Sequence, residues 1–139
     1  MSTERETFRW SDAYSVNIAV LDAQHRKLIA IVNQLDQALR TGHGGTVVDT
    51  VLAQLVNYAF EHFATEESLM KQHQYPGLST HREHHEEFRE RMTEFLEAQR
   101  AAKPCVPVSV MLYLEPWLKE HLLKTDQQYS AYLNARGVY

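Results

Sequence analysis

The stretch that decides the fold is residues 48–69, V-D-T-V-L-A-Q-L-V-N-Y-A-F-E-H-F-A-T-E-E-S-L. Its apolar residues, together with His62 and Glu66, recur at alternating steps of four and three. This is the spacing of the core-facing positions, or seam, of a helix in an antiparallel bundle. The seam comprises Val48, Leu52, Leu55, Ala59, His62, Glu66 and Leu69. Two consecutive seam positions therefore carry an imidazole and a carboxylate. Because burying either group without a partner is costly, the pattern predicts a specific partner inside the bundle.

The segment before this one has the same helical periodicity. It runs from about Ile18 to Arg40, and the glycine-rich residues 41–45 (T-G-H-G-G) are expected to end it. The helix that contains residues 48–69 then starts near Thr46 and ends at residues 75–77 (Y-P-G). Two amphipathic helices joined by so short a connection are expected to be antiparallel neighbours.

Two further helices follow. The third opens with Thr80 and Glu83, which have the spacing of a capping box. Residues 103–107 (K-P-C-V-P) separate it from the fourth, which contains Pro116. A proline inside a helix removes a backbone hydrogen bond, so the fourth helix is expected either to kink or to restart at Glu115–Pro116.

Four amphipathic helices with short links predict an all-α fold, an up-down-up-down antiparallel four-helix bundle over residues 18–139. Residues 1–17 are expected to form an extended N-terminal arm whose Phe8, Trp10 and Tyr14 pack against the bundle. At 139 residues the chain has the usual size of one domain.

Composition narrows the functional classes. The net charge of −4 is mild and no basic stripe is present, so no nucleic-acid partner is expected. No apolar run approaches the length that spans a bilayer, and Met1–Trp10 lacks the apolar core of a signal peptide. The single cysteine, Cys105, is compatible with a reducing compartment. A cytoplasmic location with no membrane partner is therefore the expectation.

Seven side chains in four helical segments are candidate metal ligands, and nearly all of them replace an apolar residue on a seam. They are His25, His62, Glu66, His81, His85, His121 and Asp126. Residues four apart lie on one helix face roughly 6 Å apart, so each i,i+4 pair can act on one site. His43, His73 and His84 lie in a turn, near a helix end and beside the seam, and are not expected to be ligands.

His121 and Asp126 are five residues apart, which rotates them about 140° around a regular helix. They can share a face only if the turn between them is widened or the helix wraps beside the site. We therefore expect Asp126 to approach the site from a different direction than His121.

The donor set favours two first-row metal ions. Five imidazoles and two carboxylates exceed the needs of one tetrahedral zinc and are too rich in nitrogen for calcium or magnesium. Iron suits imidazole and carboxylate ligands with an open position. With both carboxylates and an oxide or hydroxide bridging the ions, about one position stays open, which predicts binding of a small molecule. Phe63, Trp117 and Leu122 flank the candidate ligands and are expected to wall that position, with no further acid beside it.

Several motifs make the chain resemble the hemerythrins, in particular the bacterial single-domain members. They are W-S-D-A-Y-S-V (10–16), L-D-A-Q-H (21–25), H-F-A-T-E-E (62–67), Y-P (75–76), H-R-E-H-H-E-E-F (81–88) and W-L-K-E-H-L-L-K-T-D-Q-Q-Y (117–129). The resemblance implies a non-haem di-iron centre that binds O2 reversibly, for storage, delivery or sensing, rather than an enzyme. It further implies that His81, His85 and His121 hold one iron, that His25 and His62 hold the other, which has the open position, and that Glu66 and Asp126 bridge.

Two other functions stay open at this point. A di-iron oxidase, peroxidase or nitric-oxide-handling enzyme would use the same metals, although such bundle enzymes favour Glu-x-x-His pairs, which this chain lacks. A sensory module would need a signalling partner, and neither that partner nor a delivery partner can be named from the sequence.

Overall fold

The computed structural model describes residues 8–139, so residues 1–7 of the predicted arm lie outside the described part. All regular elements within residues 8–139 are helical. In chain order they are a 3-10 helix Asp12–Tyr14, α1 Ala19–Arg40, α2 Gly44–Gln72, α3 Leu78–Arg100, α4 Val106–Glu120, a π-helix His121–Thr125 and α5 Gln127–Asn134. The predicted all-α antiparallel four-helix bundle is confirmed, with α4, the π-helix and α5 together forming its fourth rod.

The connection between α1 and α2 is shorter than the glycine pattern predicted. Gly42, at a φ of 77°, takes the left-handed conformation that ends α1. Gly44 already belongs to α2, and a Cβ there would lie 2.8 Å from Leu39 Cδ2 and 3.2 Å from Pro107 Cβ. The second glycine therefore allows the connection to pack closely against its neighbours, and does not break the helix.

The predicted capping box at the start of α3 is wrong. The helix begins at Leu78 with Gly77 as its N-cap, and no side chain caps it. The N–H of His81 already donates to the carbonyl of Gly77 at 3.0 Å, so Thr80 and Glu83 lie inside the first turns. The Tyr-Pro-Gly turn starts this helix earlier than the capping pattern suggested.

The helix α4 continues through Pro116 and does not restart there. The carbonyl that loses its usual N–H partner to Pro116 belongs to Leu112, four residues earlier. Leu112 is 71% exposed, so water can reach this part of the helix. Because α4 runs without a break from Val106 to Glu120, the alternative in which a new helix starts at Glu115–Pro116 is wrong.

The N-terminal arm is attached to the bundle by polar contacts, and it includes the short 3-10 helix, so it is not extended throughout. The backbone of Phe8 exchanges two hydrogen bonds with the side-chain amide of Asn33, at 3.0 and 2.8 Å. Asp22 of α1 accepts from the Val16 N–H at 2.9 Å and from the Ser15 hydroxyl. Of the helices described, none has the length and apolarity to cross a membrane.

The buried apolar residues form two separate clusters. The larger includes Leu28, Phe63 and Leu122, and the smaller includes Leu21, Met70 and Tyr129. On each rod the buried polar residues lie between members of these clusters or at the edge of one. The bundle thus contains a polar layer enclosed by apolar side chains, which is where the candidate ligands meet.

Candidate metal centre

All seven candidate ligands are buried in the polar layer. α1 contributes His25, α2 contributes His62 and Glu66, α3 contributes His81 and His85, and the fourth rod contributes His121 and Asp126. The most exposed of them, His121, is only 4% accessible, and Glu66 and Asp126 are completely buried. A buried set this polar requires internal partners.

Four imidazoles direct their Nε2 atoms at Asp126. Its Oδ2 lies 2.6 Å from His25 Nε2, 2.9 Å from His121 Nε2 and 3.8 Å from His62 Nε2. Its Oδ1 lies 3.3 Å from His81 Nε2. Asp126 is therefore surrounded by ring nitrogens from every rod of the bundle.

Glu66 is the second carboxylate that ring nitrogens surround, and two of its three imidazoles come from α3. Its Oε1 lies 3.0 Å from His62 Nε2 and 3.2 Å from His85 Nε2, and its Oε2 lies 3.6 Å from His81 Nε2. Because His62 and His81 approach both carboxylates, the two acids belong to one connected cluster.

The cluster has the donor spacing of a metal centre. Two donors about 2.1 Å from one ion and at right angles to each other lie about 3 Å apart, close to the separations observed here. Several of these buried atoms also lack a partner with hydrogen-bond geometry, among them His81 Nε2, His121 Nε2, Glu66 Oε2 and both carboxylate oxygens of Asp126. Aligned but unpaired nitrogen and oxygen donors suit bound cations better than an internal hydrogen-bond network.

Distance divides the donors into two groups that could each hold an ion. One contains His25, His62, His121 and Asp126, and the other contains Glu66, His81 and His85, with donor atoms within 4.8 Å of one another in each. The resemblance instead placed His121 with His81 and His85. In this structure His121 Nε2 lies 2.9 Å from Asp126 Oδ2, and its ring centroid lies 5.4 Å from that of His25, which is why His121 groups with the α1 ligand.

The sequence-based expectation that Asp126 and His121 approach from different directions is wrong. Residues 121–125 form a π-helix, in which the Asp126 N–H donates to the carbonyl of His121 at 2.9 Å. This wider turn places residues five apart on one face, so the side chains of Asp126 and His121 meet.

Electrostatics keeps both carboxylates ionised. Burial, the largest effect on each, opposes ionisation, but the surrounding imidazoles outweigh it and hold the pKa values of Glu66 and Asp126 well below their usual range. For His62 and His81 burial likewise disfavours the charged form, yet Glu66 and Asp126 raise their pKa values to about 9 and about 10. For His121 burial dominates and lowers the pKa. The carboxylates thus provide negative charge that attracts protons or cations.

Two outer residues orient the imidazoles, and sequence reasoning missed both. Gln24 Oε1 lies 2.6 Å from His62 Nδ1, and Glu67 Oε2 lies 2.7 Å from His85 Nδ1. When the Nδ1–H donates outwards, the Nε2 lone pair is left free for a metal. Glu67 is an acid beside the site, contrary to expectation. Both residues adjoin candidate ligands in the motifs quoted above but lie off the apolar seam, so periodicity could not reveal them.

Aromatic rings cover the outer faces of three imidazoles. Phe63 stacks on His85, with centroids 3.8 Å apart, and Trp117 stacks on His121 at 4.5 Å. Tyr58, which sequence reasoning did not single out, stacks on His62 at 4.9 Å. Among the imidazoles, the expected pocket residue Phe63 is therefore closest to His85, and Trp117 contacts His121.

Phe63 is also 5.9 Å from His62, centroid to centroid, and Leu122 is 1% exposed. Two buried phenols complete the surroundings: the hydroxyls of Tyr58 and Tyr129 have no hydrogen-bond partner, and burial raises both pKa values well above the usual range. The surroundings of the cluster are thus largely aromatic and aliphatic, with two unpaired hydroxyls among them.

Two clefts lead towards the cluster. One of about 750 Å³ lies between α3 and α4 and reaches His85 and His121. The other, of about 360 Å³, lies between α1 and α2 and reaches His62. A small molecule thus has a short path to the imidazoles. The remaining histidines, His43, His73 and His84, lie outside both ligand groups.

Several known proteins are similar to this chain. Residues 16–133 match the family described as the hemerythrin HHE cation binding domain. A bacteriohemerythrin of Stenotrophomonas maltophilia is 32% identical, over 91% of this chain and 81% of that protein. A bacteriohemerythrin of Pseudomonas aeruginosa is 31% identical, over 86% and 77%. A solved structure of a hemerythrin mutant superposes with a TM-score of 0.83 at 23% identity, covering 93% of this chain and 98% of that one.

Proposed function

Because this chain belongs to the hemerythrin family, we propose that its buried cluster holds two iron ions and binds O2 reversibly. The observation that carries the proposal is the convergence of five imidazole Nε2 atoms on two buried carboxylates, at N–O distances of 2.6–3.8 Å. When bound, such a pair of ferrous ions supplies electrons and an open coordination position for O2.

We propose all seven candidate residues of the polar layer as the ligands. They are His25, His62, Glu66, His81, His85, His121 and Asp126. Glu66 contacts imidazoles of two helices and Asp126 contacts imidazoles of all four rods, which supports their assignment as bridging ligands, with an oxide or hydroxide as the third bridge. Gln24 and Glu67 hold the rings of His62 and His85 in the tautomer and orientation that direct Nε2 inwards.

The apolar shell has a separate role in this proposal. Phe63, Trp117 and Leu122 limit the water that reaches the cluster, so that bound O2 is released again as O2. In a dry site, a bound anionic group is not readily protonated and displaced. Reversible binding, as opposed to irreversible oxidation of the iron, depends on this exclusion.

Iron content and the visible spectrum test the proposal. Protein purified without air is expected to contain two irons per chain, because seven donors cannot be satisfied around one ion. Admission of O2 should produce a visible charge-transfer band that disappears when O2 is removed. One metal equivalent, zinc in place of iron, or sustained consumption of a reductant under O2 would contradict a di-iron carrier, and the last result would indicate an enzyme.

The substitution Leu122→Ala should separate water exclusion from metal binding. Leu122 is 1% exposed and lies beside His121, so its truncation is expected to open a cavity and lower the free energy of unfolding by about 2–5 kcal/mol. Iron content should stay at two, whereas the O2-loaded protein should oxidise irreversibly several times faster, as followed by stopped-flow absorbance.

The neighbouring Leu123→Ala is the matched control, because Leu123 is 44% exposed. It should change neither stability nor oxidation rate appreciably. If Leu122→Ala keeps two irons and oxidises at the rate of the unaltered protein, Leu122 does not guard the site.

A further inference from the structure

We propose that Gln127 is a positioning residue, whose side-chain amide holds the π-helix in the register that brings Asp126 and His121 together. The inference rests on the proposed function only in treating Asp126 and His121 as ligands. Its structural content, a side chain that stabilises one specific turn, can be tested separately.

The π-helix changes the hydrogen bonding of one buried carbonyl. In a regular α-helix the Asp126 N–H would donate to the carbonyl of Leu122, four residues earlier. Here that N–H donates to the carbonyl of His121 at 2.9 Å. The carbonyl of Leu122 instead accepts from Gln127 Nε2 at 3.1 Å. The side chain of Gln127 thus takes the place of the backbone donor that the wider turn removes.

The same amide nitrogen also contacts the N-terminal arm. Gln127 Nε2 lies 3.1 Å from the carbonyl oxygen of Ser15 and 3.3 Å from that of Ala13. Its two hydrogens are therefore shared among three carbonyls, from the π-helix and from the arm. These contacts orient the amide from a second direction, so that it stays aimed at the turn.

Loss of this donor should favour the regular α-helix. Leu122 is 1% exposed, so water cannot readily replace Gln127 at its carbonyl. A regular turn would restore the bond from the Asp126 N–H to Leu122 and would rotate Asp126 away from His121. The present contact, 2.9 Å between His121 Nε2 and Asp126 Oδ2, depends on the wider turn.

The chain offers matched controls for the arm contacts. Ser130 Oγ donates to the carbonyl of Val16 at 2.7 Å, and Asn134 Nδ2 donates to that of Asn17 at 3.0 Å. Both residues belong to α5 and hold the same arm, but neither contacts the π-helix carbonyl. Ser130→Ala and Asn134→Ala therefore loosen the arm without removing the donor to Leu122.

The experiment compares Gln127→Glu and Gln127→Lys with these two controls in the full chain. Glutamate keeps the shape of the side chain, loses the donors and sets a carboxylate against the three carbonyl oxygens, whereas lysine supplies an ammonium donor. Hydrogen exchange around Asp126 is followed by mass spectrometry, both with iron bound and after iron removal. Iron release to a chelator and the visible spectrum of the iron-loaded protein are recorded alongside.

For Gln127→Glu we expect about tenfold faster exchange around Asp126. We expect iron release about 10–100-fold faster, with a shifted spectrum, because residues that orient ligands have effects of this size. Gln127→Lys should bring the exchange rate and the rate of iron release most of the way back. Ser130→Ala and Asn134→Ala should leave the two rates near those of the unaltered protein. Equal effects of Gln127→Glu and Ser130→Ala, or no effect of Gln127→Glu, would overturn the proposal. Absence of iron from the unaltered protein would instead refute the proposed function, and the exchange data would still decide the role of Gln127.

Discussion

Replacing Asp126 by asparagine is expected to reduce iron content from two per chain to one or fewer. Asparagine has nearly the same shape, so packing is preserved while the negative charge is lost. Asp126 contacts the Nε2 atoms of His25, His62, His81 and His121, and no other residue in the described chain approaches all four. The apparent iron affinity should fall by more than about a hundredfold, beyond the usual effect of losing a residue that only orients a ligand.

Metal analysis and anaerobic competition with a chelator measure this effect. Glu120→Gln is the matched control, since it neutralises an exposed carboxylate on the same rod, whose ion pair within residues 8–139 is with Lys124, at 3.6 Å. It should leave iron content and affinity unchanged. Two tightly held irons in the Asp126→Asn protein would show that the carboxylate is not a ligand.

The position of the candidate ligands inside the bundle could be predicted from the sequence. Six of the seven candidate ligands lie on helices whose remaining seam positions are apolar, as in residues 48–69, so the pattern that predicts the helices also predicts which side chains face inwards. This is why the bundle and its polar cluster could be anticipated from the sequence. Binary patterning fixes the inward face of a helix whatever the chemistry of the individual residue.

The π-helix was not predicted in the same way, because the five-residue spacing only raised a wider turn as a condition. A period of 3.6 places Asp126 away from His121, and no local signal in H-L-L-K-T-D marks a wider turn. The wider turn has support from outside the segment, in the contact of Gln127 with Leu122 and with the arm. Tertiary contacts of this kind are invisible to helical periodicity.

The outer residues escaped prediction for a related reason. Gln24 and Glu67 lie off the seams and would be read as solvent-facing, yet each contacts the Nδ1 atom of a buried histidine. Tyr58 stacks on His62, one turn away on the same helix, but an aromatic residue there is equally compatible with ordinary packing. Sequence patterns locate inward positions, whereas orientation by neighbours requires the assembled structure.

Charge within the layer connects these observations to metal binding. Glu66 and Asp126 are held ionised by their surroundings, and they stabilise protons on His62 and His81 when no cation is present. The carboxylates therefore attract both protons and metal cations. Protons and metal ions should therefore compete for the same imidazole nitrogens.

This competition predicts that metal affinity rises steeply with pH. His62, with a pKa of about 9, and His81, with a pKa of about 10, are both protonated at neutral pH in the metal-free protein, and each must lose its proton to become a ligand. Between about pH 7 and pH 8.5 the two imidazoles alone should therefore make the apparent affinity increase by about two log units per pH unit, and formation of a bridging hydroxide from water adds to this slope. Anaerobic competition with a chelator of known pH dependence measures the slope. Calorimetry in two buffers of different ionisation heat should show at least about two protons released per chain on metal binding. A flat affinity profile without proton release would mean that neither imidazole carries a proton before the metal binds, or that neither is a ligand.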